Sequence, residues 1–196
     1  MSANYSIETD LKEAEAMAQG LSDYVRGDQL YGNTGGGFFS RMPSLTIGAL
    51  VMRLHRLNIL DTSMNDSQRQ RLEKATALHN QVQREWFAHY EEKLLWEIES
   101  RLNSMRAFFR ECRENADQCP QLYKPEALKR TIVEELVQTM PDLRIESDSV
   151  DKLVKETDGM LRSLITKSDF LWDEALAPIY PMDKYWWLYS SPPEKE

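Results

Sequence analysis

The chain has 196 residues, of which 41% are hydrophobic and 29% are charged, and its formal net charge is −8 at pH 7. This length supports one hydrophobic core, and the composition is that of a globular protein and not of a disordered or fibrous one. The acidic excess argues against nonspecific nucleic-acid binding, because it repels the phosphate backbone, and no apolar stretch reaches the roughly 20 residues of a membrane span. We therefore expect no nucleic-acid partner and no membrane partner.

The N-terminus bears on the cellular location. Its first ten residues carry acidic and no basic side chains, whereas a secretory signal begins with a positively charged region. We therefore expect a cytoplasmic protein.

The middle of the chain is poor in turn residues. Between Pro43 and Pro120 it has no proline and a single glycine, Gly48. Strands would need clusters of Gly, Pro, Asn and Asp about every 8 to 12 residues to reverse the chain. Their absence, together with apolar residues three or four positions apart, predicts an all-α fold. We expect a bundle domain of about five helices over residues 1–170, with an irregular aromatic-rich C-terminal tail over residues 171–196.

The first predicted helix covers residues 7–25. Ser6 or Asn4 is available as its N-cap, and Gly27 is expected to end it. A flexible glycine-rich loop over residues 27–43 should follow, because no regular element tolerates so many glycines.

Three successive glycines of this loop form a candidate ligand loop, because glycine lets backbone N–H groups turn toward an anion. They are Gly35, Gly36 and Gly37. A P-loop needs a lysine and a hydroxyl residue directly after its last glycine, and Phe38 and Phe39 stand there instead. We therefore favour a connector, and we expect this glycine-rich segment to be the most mobile internal part of the chain.

A long helix is predicted in the centre of the chain, after a second helix that Ser44 caps and that carries an apolar stripe from Ile47 to Leu57. From Ser67 to Glu114 apolar residues recur without a helix breaker, which predicts one helix of about 50 residues. Its first part follows a heptad seam, and a helix longer than its neighbours leaves apolar surface that one chain cannot cover. We therefore expect a homodimer through a seam formed by Leu72, Ala75, Leu78, Val82 and Trp86.

Two further helices are expected after Pro120. Pro125, at a first helical position, should open one of them and Pro141 should close it, with Leu128 among the residues that face inward. Ser147 is expected to cap the last helix.

The tail is rich in Trp and Tyr. Such side chains bury large areas and dominate interface hot spots, so we expect the tail to pack on the bundle as a strap, with an interface to another chain as the alternative. One of the two adjacent tryptophans should point inward and the other outward, as consecutive residues of an extended segment do. The predicted interaction residues are Trp172, Tyr180, Tyr185, Trp186, Trp187 and Tyr189.

The two cysteines, Cys112 and Cys119, are seven positions apart. On one helix their Cα atoms would lie about 10 Å apart, which is too far for a disulfide. We therefore expect two free thiols, and no zinc site.

Acidic side chains at helical spacing raise the question of a metal-dependent hydrolase, because all-α nucleotide pyrophosphatases bind Mg²⁺ through several carboxylates on two helices. Glu111, Glu114 and Asp117 follow one another at steps of three and are the candidate ligands. Arg110 and Arg113 interleave them, which is typical of a solvated, salt-bridged face. The histidines have no metal-site spacing either. We therefore predict no metal, no cofactor and no catalytic residue.

These observations favour a non-catalytic intracellular interaction or scaffolding protein, whose partner is a second copy of the chain or another protein. The first alternative is a metal-dependent hydrolase of nucleotides or other phosphorylated small molecules. The second alternative is a regulator that binds a small ligand between helices, beneath the glycine loop.

Overall fold

The computed structural model of the chain describes residues 5–34 and 42–193. Over these residues the chain forms six α-helices and one pair of two-residue strands, so the predicted all-α class is confirmed. The helices are α1 (Ile7–Arg26), α2 (Ile47–Ile59), α3 (Asp66–Glu85), α4 (Phe87–Glu114), α5 (Cys119–Leu143) and α6 (Asp148–Arg162). The strands are β1 (Thr166–Lys167) and β2 (Ser190–Ser191), and they pair antiparallel with Thr166 opposite Ser191.

The chain divides into two compact units. The N-terminal unit is Ser6–Glu97, and the C-terminal unit is Ile98–Glu196 together with Met1–Tyr5. The boundary between them lies within α4.

In the N-terminal unit α1 packs against α2 and α3. Ser6 is the N-cap of α1 as predicted, since its hydroxyl accepts a hydrogen bond from the Thr9 N–H, and Gly27 is the C-cap. At the surface, Arg71 of α3 forms ion pairs with Glu8 and Glu15 of α1, at 2.7 and 2.6 Å.

The start of α2 differs from the prediction. Thr46, and not Ser44, is the N-cap, and its hydroxyl accepts from the Ala49 N–H at 3.1 Å. The cap lies two residues later because Leu45 forms an isolated antiparallel bridge with Gly32, with two backbone hydrogen bonds of 2.9 Å. The prediction of a ligand loop at Gly35, Gly36 and Gly37 falls on residues outside the described ranges. The predicted mobile segment, residues 32–37, is described only over residues 32–34, where Gly32 is held by the bridge to Leu45.

The predicted single central helix is wrong, because the structure has two helices, α3 and α4, that meet at Trp86. The backbone of Trp86 has φ −117° and ψ 37°, outside the α-helical region, and the residue caps α3. Neither proline nor glycine marks the break, so the sequence carries no signal for it. Of the predicted dimer seam, Leu72, Ala75 and Val82 are buried inside their own unit.

In the C-terminal unit α5 begins earlier and ends later than predicted. It starts at Cys119, with a proline in its first turn, and it contains both Pro125 and Pro141. Proline disfavours a helix interior by only a few kcal/mol, which the burial of side chains such as Tyr123 and Ala127 offsets. The helix ends at Arg144, which has a left-handed backbone with φ 56°.

The close approach at Gly32 leads to a stability prediction. A Cβ atom there would lie 2.7 Å from Cδ2 of Tyr24 and 3.3 Å from Cβ of Leu45. The Tyr24 ring cannot swing away freely, because it is buried and its hydroxyl donates to the Leu30 carbonyl at 2.9 Å. Gly32→Ala is therefore expected to lower the free energy of unfolding by about 1–3 kcal/mol, measured by urea denaturation.

Gly159 of α6 is the matched control, because nothing lies within 4 Å of its Cβ position. Gly159→Ala should raise the free energy of unfolding by about 0.5–1 kcal/mol, since alanine favours a helix over glycine. Equal effects of the two substitutions would contradict the close contact at Gly32.

Candidate functional site

The predicted interaction residues of the tail fall into two groups. Tyr180, Tyr185 and Trp187 are buried, and the other three are half-buried. The buried rings contact one another edge to face, with centroids 4.9 Å apart for Tyr180 and Tyr185 and 5.5 Å apart for Tyr185 and Trp187. The half-buried residues are Trp172, Trp186 and Tyr189.

The buried aromatic residues are hydrogen-bonded to α5. The Trp187 indole N–H donates to the Thr131 hydroxyl at 3.0 Å, and the Tyr185 hydroxyl donates to Oε1 of Glu135 at 3.1 Å. Burial and the Glu135 carboxylate raise the pKa of Tyr185 well above its usual value. These side chains are therefore engaged within their own unit and do not form an open binding surface.

A buried arginine completes this contact. The Arg130 guanidinium bonds both carboxylate oxygens of Asp158, at 2.7 and 3.0 Å, and one oxygen of Glu134 at 3.0 Å. It also lies 4.1 Å from the centroid of the Trp187 ring. Burial alone would lower the pKa of Arg130, but the bonds and charges of Asp158 and Glu134 raise it, so the group stays charged. The exposed Arg162 lies over the Trp186 ring, with its guanidinium carbon 3.7 Å from the ring centroid.

The prediction of two free thiols is wrong, because Cys112 and Cys119 form a disulfide. Their Cα atoms lie 5.6 Å apart and not the 10 Å or so of a continuous helix. The reason is that α4 ends at Glu114, and a 3₁₀ turn at Ala116–Gln118 reverses the chain before α5. Pro120 indicated in the sequence that the chain turns here. It did not indicate that the turn brings the two cysteines together.

A groove of about 330 Å³ lies beside this disulfide. Its apolar lining residues are Phe108, Leu122 and the two cysteines, and its polar lining residues are Glu111, Asn115 and Gln118. The groove therefore offers both apolar contact and hydrogen-bonding groups.

The groove continues into exposed apolar residues on the first turns of α5. Leu122 is 52% exposed, Leu128 is 36% exposed, and Pro125 between them is also exposed. We call Leu122, Pro125 and Leu128 the α5 strip. The prediction that Leu128 faces inward is wrong, because the inward side of this helix is occupied by Tyr123, Ala127 and other buried residues. Sequence reasoning missed this surface.

The candidate metal ligands do not form a site. Glu111, Glu114 and Asp117 are exposed at the end of α4 and in the turn that follows. Within residues 5–34 and 42–193, no three side chains of His, Cys, Asp or Glu are arranged to hold a metal ion. Glu111 is one of the lining residues of the groove.

A second cavity, of about 400 Å³, lies in the N-terminal unit between the end of α2 and α3. Six of its eight lining residues are polar, and one of them is Thr76, whose hydroxyl is buried and has no hydrogen-bond partner. Arg69 and Asp61, which form an ion pair at 3.2 Å, also line the cavity. The remaining lining residues are Asn58, Leu72, Glu73, Ala77 and Asn80.

No helix within the described parts of the chain has the length and apolarity to cross a membrane. Comparison with protein families, with curated proteins and with solved structures finds no match for this chain.

Proposed function

We propose that the protein is a non-catalytic interaction module and that it binds its partner through the α5 strip and the adjoining groove. The observation that carries this proposal is the exposure of Leu122 at 52% and Leu128 at 36%, on one helix and next to a groove with apolar and polar lining residues. Burying a fully exposed leucine side chain contributes roughly 1.5–3 kcal/mol, so covering the exposed half of Leu122 contributes about 1 kcal/mol. A contiguous apolar surface with a polar rim is typical of protein interfaces.

The partner that we propose is a second copy of the chain. The expected dimer contact through α3 is less well supported, because three of its five residues, Leu72, Ala75 and Val82, are buried within one chain. The α5 strip supports an isologous contact instead, since two identical apolar strips can cover each other about a two-fold axis.

Light scattering tests this proposal. The wild-type protein is expected to show the mass of two 22.9 kDa chains at micromolar concentration. Leu122→Asp should shift the mass to one chain, because association would bury an unpaired carboxylate among apolar side chains.

Gln121→Asp is the matched control, because it adds the same charge at the neighbouring exposed position and should leave the dimer intact. A wild-type particle of 22.9 kDa would refute the homodimer. A dimer that survives Leu122→Asp would refute the α5 strip as its interface.

A second candidate function is regulation by a small polar ligand, and the polar cavity between α2 and α3 favours it. The Asn58 and Asn80 amides, which line the cavity, could bind hydroxyl or amide groups of such a ligand. A rise in melting temperature with a small polyol or amide, lost in Asn58→Ala, would support this function. The metal-dependent hydrolase receives no support from the positions of Glu111, Glu114 and Asp117.

The expected cytoplasmic location stays a prediction. The Cys112–Cys119 disulfide favours an oxidising compartment instead, because cytosolic proteins are usually kept reduced. Thiol alkylation of the protein in intact cells, followed by mass spectrometry, distinguishes the two locations.

A further inference from the structure

Two buried side chains meet across the junction between α3 and α4. Nε2 of His79 lies 2.9 Å from the hydroxyl oxygen of Tyr90, and the ring centroids are 5.7 Å apart. A straight helix would separate residues 11 positions apart by about 16 Å. That is more than an imidazole, a phenol and one hydrogen bond can span together. The contact therefore exists only because the chain bends at Trp86.

Two backbone hydrogen bonds join Trp86 to the two helices. The Trp86 N–H donates to the Val82 carbonyl at 2.8 Å, and the Tyr90 N–H donates to the Trp86 carbonyl at 2.9 Å. Because the backbone of Trp86 lies outside the helical region, side-chain contacts across the junction help to set the angle between the two helices. The His79–Tyr90 bond lies at the right place to do so.

The hydrogen-bond pattern fits a neutral imidazole. Nδ1 of His79 lies 3.1 Å from Oδ1 of Asn80, which accepts, and this places a proton on Nδ1. Nε2 then accepts the hydrogen bond from the Tyr90 hydroxyl. Gln83 also bonds to this hydroxyl and lowers the pKa of Tyr90. In a protonated His79, Nε2 carries a proton and no longer accepts, so the Tyr90 hydroxyl would have to turn its proton toward another acceptor and receive the hydrogen bond instead.

Burial is the main influence on the pKa values of His79 and Tyr90. Burial lowers the pKa of His79, and the bond to Asn80 opposes this shift. On the side of α4, burial raises the pKa of Tyr90 and the Glu97 carboxylate adds to the rise. The other buried charged groups on the packed helices have partners of their own: Asp10 on α1, Arg53 and Arg56 on α2, and Lys93 on α4.

We propose that His79 is a pH-sensitive latch on the α3–α4 junction, whose neutral imidazole holds the bend through Tyr90 and whose protonation releases it. The ordinary pKa of histidine, 6.5, applies to the released side chain, and the latched side chain has a lower one. The latch is therefore at full strength above pH 6.5, and it weakens as the pH falls below 6.5 toward the lowered pKa. Above pH 6.5 the junction is independent of pH.

The test is a distance measurement between spin labels at two exposed positions of the N-terminal unit, Lys74→Cys on α3 and Glu92→Cys on α4. The native cysteines are paired in the disulfide and stay unlabelled. We expect one short distance at pH 7.5 and a second, longer one that grows with a midpoint below pH 6.5. Tyr90→Phe should show the longer distance already at pH 7.5, and His79→Gln should remove the pH response.

His89→Gln is the matched control, because it removes an exposed histidine whose ring lies 5.8 Å from that of Trp86 at the same junction, and it should leave the pH response unchanged. The proposal fails if the wild-type distance does not change between pH 7.5 and pH 5, or if the change persists in His79→Gln. A loss of helical circular dichroism over the same pH range also overturns it, since that result would mean unfolding and not release of a latch. Should Tyr90→Phe fail to fold, wild type and His79→Gln still decide the outcome.

Discussion

Replacing Trp187 by alanine is expected to lower the free energy of unfolding by about 3–5 kcal/mol, as for other large aromatic residues in a core. Trp187 is 1% exposed. Its indole N–H donates to Thr131, and its ring covers the Arg130 guanidinium. The variant would therefore lose the burial of a whole indole and leave a cavity against α5.

The neighbouring Trp186 is the matched control. It is half-buried, and its ring lies on Arg162 at the surface, so Trp186→Ala should cost about 1 kcal/mol or less. Urea denaturation followed by far-ultraviolet circular dichroism measures both variants. If both substitutions cost the same, the buried position of Trp187 is not what holds the tail on α5, and the tail is free to serve as an interface.

Arg130→Met is expected to cost about 3–5 kcal/mol, because it leaves two carboxylates near an apolar ring without their cation. Arg130 is 3% exposed and bonds Asp158 and Glu134 at once. Asp158→Asn in the same chain should restore part of the loss, since it removes one of the two uncompensated charges. A double-mutant cycle of these changes gives the coupling energy directly.

Arg106 supplies the control for this prediction. Its side chain is 29% exposed, it lies 3.7 Å from Glu156, and its Nε is buried with no hydrogen-bond partner. Arg106→Met should therefore change the free energy of unfolding by less than about 1 kcal/mol. A small effect of Arg130→Met, or additive effects of Arg130→Met and Asp158→Asn, would show that this ion pair contributes little.

Local patterns predicted the ends of α1 well and the centre of the chain poorly. Ser6 and Gly27 form hydrogen bonds with residues only a few positions away, and such local bonds can be predicted from the sequence. The break at Trp86 depends on the residues that pack against α3 and α4. The spacing of apolar residues along one helix carries no information about them. Thr46 replaced Ser44 as a cap for the same reason, because the distant partner Gly32 holds Leu45 in an extended backbone.

Only the residue types of the candidate site could be predicted from the sequence. Aromatic composition showed that the tail has large side chains to bury, and one tryptophan of the pair is indeed more buried than the other. The reason differs from the expected one, since Trp186–Tyr189 is a 3₁₀ helix and not an extended segment. The α5 strip was missed because the proline rule placed the start of the helix at Pro125, six residues after its actual start at Cys119. The late start left Leu122 outside the predicted helix, and Leu128 was assigned to the buried face because it is apolar, although it is 36% exposed.

The disulfide at the α4–α5 corner has a consequence for the integrity of the chain. Residues 113–118, which lie between its two cysteines, are all exposed, so this corner is open to proteases. A cut there would divide the backbone, but the two pieces would stay covalently joined through Cys112 and Cys119. The nicked molecule would keep its mass, apart from one added water, until a reductant separated it. In this protein a single band on a non-reducing gel is therefore no proof of an intact backbone.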